Sequence, residues 1–334
     1  MVTFIPPWAV LWLSPLSLLP FPHSEFLWLI LNIVLLFVSG YIIWGLSSQF
    51  IFREFFFARP PFWSILFFGT FYPALYCLRM GQASIIILFG LSLFLYFRTK
   101  SNYFFAGISL SILLIKPHLF SLLWIGLIYE SIWHRRWRTI FGMISVLLSS
   151  ISIVLLIQPN IFNEYFHYVR HPIYVWTENV SIGGFLGAIG YQETSLNAPA
   201  TKASFIPVLV ASIIFLIYMI KKNKHYSIDR NLPIIISLSI FLTPYGWVTD
   251  HTMLLIVCIA IFIIGIKTYG KFSLILITSG FVINFVFGYL HFMRIIPEYM
   301  FFGVPFICGM LFLYIKKMYL SKMSKNMRLI PFTN

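Results

Sequence analysis

Residues 26–48, FLWLILNIVLLFVSGYIIWGLSS, decide the fold class. This stretch carries no charged side chain and exceeds the roughly 20 residues that an α-helix needs to cross a bilayer. Further along the chain the pattern recurs. Apolar runs occupy 62–79, 82–98, 103–116, 118–134, 137–158, 204–220, 232–249, 252–267, 272–291 and 300–318. Several are short or hold Pro and Gly, which a bundle tolerates where neighbouring helices shield the broken backbone. The reading is therefore all-α: a polytopic transmembrane helical bundle of about eleven spans. Residues 6–20 are apolar but interrupted by Pro6, Pro7, Pro15 and Pro20, and are expected to form an interfacial or re-entrant segment.

Composition agrees. Of 334 residues, 60% are hydrophobic and 10% charged, against about 25% charged in soluble domains. No polar stretch is long enough for a separate soluble core, so residues 1–334 form one integral membrane domain with a loop at 159–203 and a tail at 319–334. The net charge of +14 does not point to nucleic acid, because the bases sit in short loops where they set topology. The three cysteines, Cys77, Cys258 and Cys308, lie far apart in apolar runs and spell neither a disulfide framework nor a metal motif. The first 20 residues lack the basic start of a signal peptide.

Alternating the eleven spans places 18 of the 23 Lys and Arg residues on one face, which is thus expected to be cytoplasmic, together with the C-terminus. Arg135, Arg136 and Arg138 belong to this face and read as topology determinants. The other face keeps only Arg79, Lys116, Arg170, Lys202 and Arg294, yet holds six of the eight histidines and six of the nine acids. Ionisable groups at a membrane are costly and tend to be functional. The candidate site is therefore on the non-cytoplasmic face of a cell membrane.

Short motifs at helix ends on that face supply the candidates. Arg79-Met80-Gly81-Gln82 joins two spans, with Gly81 suited to a tight turn. Lys116-Pro117-His118 puts a cation at an apolar helix end, where it either holds a phosphate or snorkels to the interface. Thr243-Pro244-Tyr245-Gly246-Trp247-Val248-Thr249-Asp250-His251 sets a carboxylate beside an imidazole, suited to acid–base work or to an ordinary exposed turn. The long loop adds His167, Arg170, His171, Glu178 and Asn179-Val180-Ser181-Ile182-Gly183-Gly184. His291, Arg294 and Glu298 share a helical face if that segment is helical, as a salt-bridge set or as site residues. An outer-face cavity lined by Arg79, Gln82, Lys116, His118, Asp250 and His251 is expected. Soluble-nucleotide motifs such as a P-loop or G-x-G-x-x-G are absent from the sequence, which favours a substrate delivered through lipid.

In combination these stretches resemble glycosyltransferase family 87. The resemblance runs from Phe4-Ile5-Pro6-Pro7 and Ser14-Pro15-Leu16 through Leu27-Trp28-Leu29-Ile30-Leu31-Asn32, Gly81-Gln82, Ala106-Gly107, Lys116-Pro117 and Trp133 to Trp137. It ends with Asn179-Val180-Ser181-Ile182 and Thr243-Pro244-Tyr245-Gly246-Trp247. It implies a C-type glycosyltransferase fold and inverting transfer of a hexose or pentose from a polyprenyl-phosphate sugar to an envelope glycan or glycolipid acceptor. The partners would be membrane lipid, that donor and that acceptor, with no cofactor and no metal. Arg79, Gln82, Lys116, His118, Asn179, His251 and Arg294 are the expected substrate-binding residues. The family's usual base is a carboxylate in the first outer loop, after the first helix. The resemblance here begins after that loop, so the first helix and its acid are expected upstream of Met1. The alternatives are Asp250 as a substitute base or an inactive scaffold. A lipid-linked polysaccharide polymerase or transporter is the competing function.

Overall fold

A computed structural model describes residues 5–50, 60–62, 64–170, 180–183, 202–222 and 227–328. Among these the chain is all-α, with fourteen α-helices joined by short 3-10 turns. The helices are α1 (Pro7–Leu13), α2 (Phe21–Leu46), α3 (Ser64–Gly69), α4 (Tyr72–Met80), α5 (Ser84–Thr99), α6 (Tyr103–Ser111) and α7 (Ser121–Trp133). They continue with α8 (Trp137–Ile157), α9 (Ile161–Arg170), α10 (Ile206–Lys222), α11 (Ile228–Leu242), α12 (Leu255–Tyr269), α13 (Lys271–Phe292) and α14 (Val304–Arg328).

Four helical stretches among the described residues are long and apolar enough to cross a membrane alone: Phe21–Leu46, Trp137–Ile157, Val248–Tyr269 and Val304–Met323. This is fewer than the eleven expected, and the difference has local causes. The run at 62–79 is split into α3 and α4, with Pro73 in the first turn of α4. The runs at 103–116 and 118–134 are each part 3-10 helix, meeting at Lys116-Pro117. Helix α5 has 16 residues, about 24 Å of rise against a hydrocarbon core of about 30 Å. Each of these short pieces buries one face in the bundle, where neighbours shield the interrupted backbone. Residues 6–20 hold α1 and a 3-10 turn, and α1 packs on α8 and on the 3-10 turn Ile112–Ile115 that follows α6: Trp8 donates to the Leu114 carbonyl at 3.3 Å and Trp12 to Ser150 at 2.9 Å.

Val248–Tyr269 is the bundle's axis, 72% buried against 28% or less for the other three. Around it α2, α5, α7 and α11 build one continuous core of Leu, Ile and Phe. Helices α8, α10, α13 and α14 turn apolar side chains such as Leu156, Leu209, Val282 and Ile307 outward, as lipid contact requires. Close helix approach uses small residues. A Cβ on Gly107 would strike the Thr139 carbonyl, and one on Gly142 the Phe104 carbonyl, so α6 and α8 touch backbone to backbone.

The charges segregate to two ends. Helix α5 carries Ser84 at one end and Arg98 at the other, about 21 Å apart along its axis. At the Arg98 end, the guanidinium donates to both Glu130 oxygens at 2.7 and 2.8 Å and to Asp229 at 2.5 and 3.0 Å. Arg136 adds a second ion pair to Glu130. This clasp fastens α5, α7 and α11. Arg136, read from sequence as a topology charge, is therefore also a packing residue.

Candidate functional site

The other end of the bundle gathers residues from four separate stretches. Helix α4 stops at Gly81, whose φ of 63° is the left-handed cap that glycine adopts freely. The Gly81 carbonyl accepts from Trp28 of α2 at 3.2 Å, and the turn delivers Gln82 and Ser84. Lys116 follows a 3-10 turn, and Pro117 keeps its backbone out of the helical region (φ −134°, ψ 70°). Asp250 lies in the 3-10 turn Val248–Leu254, where its carboxylate caps the backbone N–H of Trp247 at 3.1 Å.

These groups meet. Lys116 Nζ donates to Asp250 Oδ1 at 2.6 Å, and to Ser84 and Gln82 Oε1 at 3.4 Å each. Ser84 Oγ donates to the same Asp250 oxygen at 2.9 Å. The Lys116 ammonium stands 5.1 Å from the Trp247 ring centre, within cation–π range. Asp250 is fully buried, whereas the Lys116 side chain keeps 10% of its surface exposed. A lone buried ion costs several kcal/mol, so each member of the pair makes the other tolerable. Both Asp250 oxygens are engaged, which leaves the ammonium as the more available charge.

His118 stacks on Tyr245 with centres 4.0 Å apart, and its carbonyl accepts from Thr243 at 3.2 Å. His118 Nε2 has no hydrogen-bond partner among the described residues. The long loop reaches in as well. Val180 N–H donates to the Gly246 carbonyl at 3.1 Å, and a Cβ on Gly183 would press on Pro244, Thr243 and Ser204. Residues 180–183 therefore clamp the turn at 243–246. Ser181 is fully buried there; Asn179 lies outside the described residues.

The remaining candidates separate. His251, adjacent to Asp250, points away from Lys116 into an apolar cavity of about 620 Å³ between α12, α13 and α14. Neither of its ring nitrogens has a hydrogen-bond partner among the described residues. Cys258 and Cys308 line the same cavity and are neighbours there. Arg79 lies over the Phe292 ring at 3.9 Å instead of joining Lys116. Arg294 is exposed, with a φ of 58° just past the end of α13. Of the six residues expected to line one cavity, Gln82, Lys116, His118 and Asp250 share a neighbourhood, and His251 alone faces the cavity itself. Among the described residues no group of three His, Cys, Asp or Glu is placed to hold a metal ion.

The profile of glycosyltransferase family 87 matches residues 4–244. The chain belongs to glycosyltransferase family 87. The matched segment contains Arg79, Gln82, Ser84, Lys116 and His118, and it ends just before Asp250 and His251. No curated protein and no solved structure matches the chain. Membership makes the chain a glycosyltransferase of multi-pass membrane type, acting on a sugar donor and an acceptor.

Proposed function

We propose that this family 87 enzyme transfers a hexose or pentose from a polyprenyl-phosphate sugar to an envelope glycan or glycolipid, at the non-cytoplasmic membrane face. One observation carries the reading. A single turn, Val248–Leu254, holds Asp250 against Lys116 on one side and turns His251 into the apolar cavity on the other. A donor with an anionic phosphate and a hydrocarbon tail needs that pairing of a cation with an apolar groove. The cavity volume falls within the range of about 300–1,000 Å³ usual for ligand sites.

In this reading Lys116 holds the donor phosphate and stabilises the charge that grows on it as the glycosidic bond breaks. A fixed cation in a low-dielectric setting does this better than a hydrated one. Gln82 and His118 flank it as hydrogen-bonding groups for phosphate or sugar. Asp250 holds Lys116 in place. To act as a base itself it would have to exchange Lys116 for the acceptor hydroxyl. Arg294 and Asn179 remain candidate contacts for the acceptor side.

The test is transfer in proteoliposomes, with polyprenyl-phosphate mannose and polyprenyl-phosphate arabinose as donors and an alkyl mannoside as acceptor. Lys116→Met is expected to reduce turnover about 100- to 1,000-fold. Unchanged turnover and donor affinity would show that Lys116 serves the Asp250 pair alone.

A further inference from the structure

The segment leading into the Asp250 turn carries two aromatic side chains that the function described so far does not use. Tyr245 and Trp247 flank Gly246, between α11 and the 3-10 turn Val248–Leu254. Their rings meet edge to face, with centres 6.5 Å apart and planes at 69°, and so form a corner. One wall of the corner bears the cation: Lys116 Nζ stands 5.1 Å from the Trp247 ring centre. The other wall bears an imidazole: the His118 and Tyr245 rings lie 4.0 Å apart and 30° from parallel. All three rings are half-buried, so each keeps some surface at the Lys116 end of the bundle. Tyr165 of α9 is within electrostatic reach of Tyr245, which brings a third phenyl ring to the same neighbourhood.

The corner is fixed from several sides. Thr243 Oγ1 donates to the His118 carbonyl at 3.2 Å and to the Tyr245 carbonyl at 3.0 Å, tying the two ring-bearing stretches together. The Trp247 N–H donates to Asp250 Oδ2 at 3.1 Å, and Asp250 Oδ1 accepts from Lys116 at 2.6 Å. The Gly246 carbonyl, between the two rings, accepts from the Val180 N–H. Lys116, Asp250 and Trp247 are therefore joined in one unit. Rings already held in place bind a ligand with little ordering cost.

Ring faces beside hydrogen-bonding groups suit a sugar. One face of an aldose ring presents C–H groups, whose partial positive charge matches the negative face of an aromatic ring. The hydroxyls on its rim need partners. His118 Nε2, a buried atom with no hydrogen-bond partner among the described residues, can serve one of them. A sugar bonded to a phosphate at Lys116 is one ester bond from that phosphate, which brings it to the ring nearest the ammonium. We infer that Tyr245, Trp247 and His118 form the subsite of the donor sugar. The inference rests on the donor reading above. It divides the donor between side chains: Lys116 takes the phosphate and the aromatic corner takes the sugar. Tyr245 and Trp247 lie just past the residues 4–244 that the family profile matches.

The experiment uses the full chain in nanodiscs and compares ligands by competition binding: polyprenyl phosphate alone, and the same lipid phosphate carrying mannose or arabinose. The wild type is expected to bind a sugar-bearing lipid more tightly than the bare one, and the ratio of the two affinities is the readout. Tyr245→Leu and Trp247→Leu are each expected to lower that ratio about 10-fold. Tyr245→Phe, which keeps the ring, is expected to retain most of it. His118→Phe keeps the stack on Tyr245 but loses Nε2, and is expected to lower the ratio about 5- to 100-fold. Lys116→Met is expected to weaken both ligands alike and leave the ratio standing. A ratio unchanged by the Leu variants, even where both affinities fall together, overturns the subsite. Equal wild-type affinity for bare and sugar-bearing lipid overturns the subsite alone. Absence of wild-type binding to polyprenyl phosphate overturns the donor reading, and the subsite with it. If the Leu variants melt early, saturation-transfer NMR on the wild type with the sugar-bearing lipids decides. Irradiating aromatic protons is expected to saturate the sugar ring protons, and saturation confined to the isoprenoid protons overturns the assignment.

Discussion

The two ends of α5 hold two buried ionic clusters of opposite character. At the Arg98 end the charges saturate one another. One guanidinium spans Glu130 and Asp229, Arg136 closes the remaining side, and both Glu130 oxygens are taken. At the Lys116 end there is one ion pair, and beside it or on the turn that carries Asp250 stand polar atoms with no hydrogen-bond partner among the described residues: His118 Nε2, both His251 nitrogens, and the Thr249 and Thr252 hydroxyls. Buried polar atoms are almost always satisfied, so a concentration of exceptions at one end sets it apart. The saturated cluster fastens helices. The unsaturated one retains hydrogen-bonding capacity for something that is not protein.

The largest expected effect comes from breaking the saturated end. Arg98→Met leaves Asp229 without its cation, and destabilisation of about 3–5 kcal/mol is expected, read as a lower melting temperature in detergent. A variant of normal stability with lost turnover would erase the distinction between the ends. Next comes the other pair. Lys116→Met alone strands the buried Asp250, while Lys116→Met combined with Asp250→Asn is expected to regain most of the stability. Turnover is expected to stay down by about 100- to 1,000-fold in the double variant. Recovery of turnover with stability would make this end a clasp as well.

A smaller effect tests the loop that clamps the Lys116 end. Gly183→Ala presses on Pro244 and the Thr243 carbonyl and is expected to cost about 1–3 kcal/mol through overpacking. It should lower turnover while native-state hydrogen exchange around Arg98 stays unchanged. The smallest concerns orientation. Arg138→Cys alters an exposed residue and is expected to change stability by less than about 0.5 kcal/mol. A membrane-impermeant maleimide should label it only after the membrane is opened. Labelling of intact cells would exchange the faces assigned to the two ends.

Much of this was legible in the residues, and the misses have definite reasons. The alternation of charge sorted Lys116, Gln82 and Asp250 to one end and Arg98, Glu130 and Asp229 to the other, as found. Pairing within each end was not legible, because Lys116 and Asp250 are 134 positions apart and Arg98 and Asp229 are 131 apart. Hydropathy counts apolar runs, but Pro73 and Pro117 turn such runs into short helices that only the bundle shields. Asp250 and His251 read as neighbours in one site. In a 3-10 turn consecutive side chains point about 120° apart, so one meets Lys116 and the other enters the cavity. Arg79 shares a hairpin with Gln82, but an aromatic face on α13 holds it elsewhere.

Cys258 and Cys308 sit side by side in the cavity wall, one on α12 and one on α14. They give the protein a native occupancy reporter. A small bilayer-soluble thiol reagent entering the groove would modify them, and a hydrocarbon chain filling it would shield them. Protection that grows with the chain length of an added polyprenyl phosphate would measure how far a tail extends along the groove, without any engineered label.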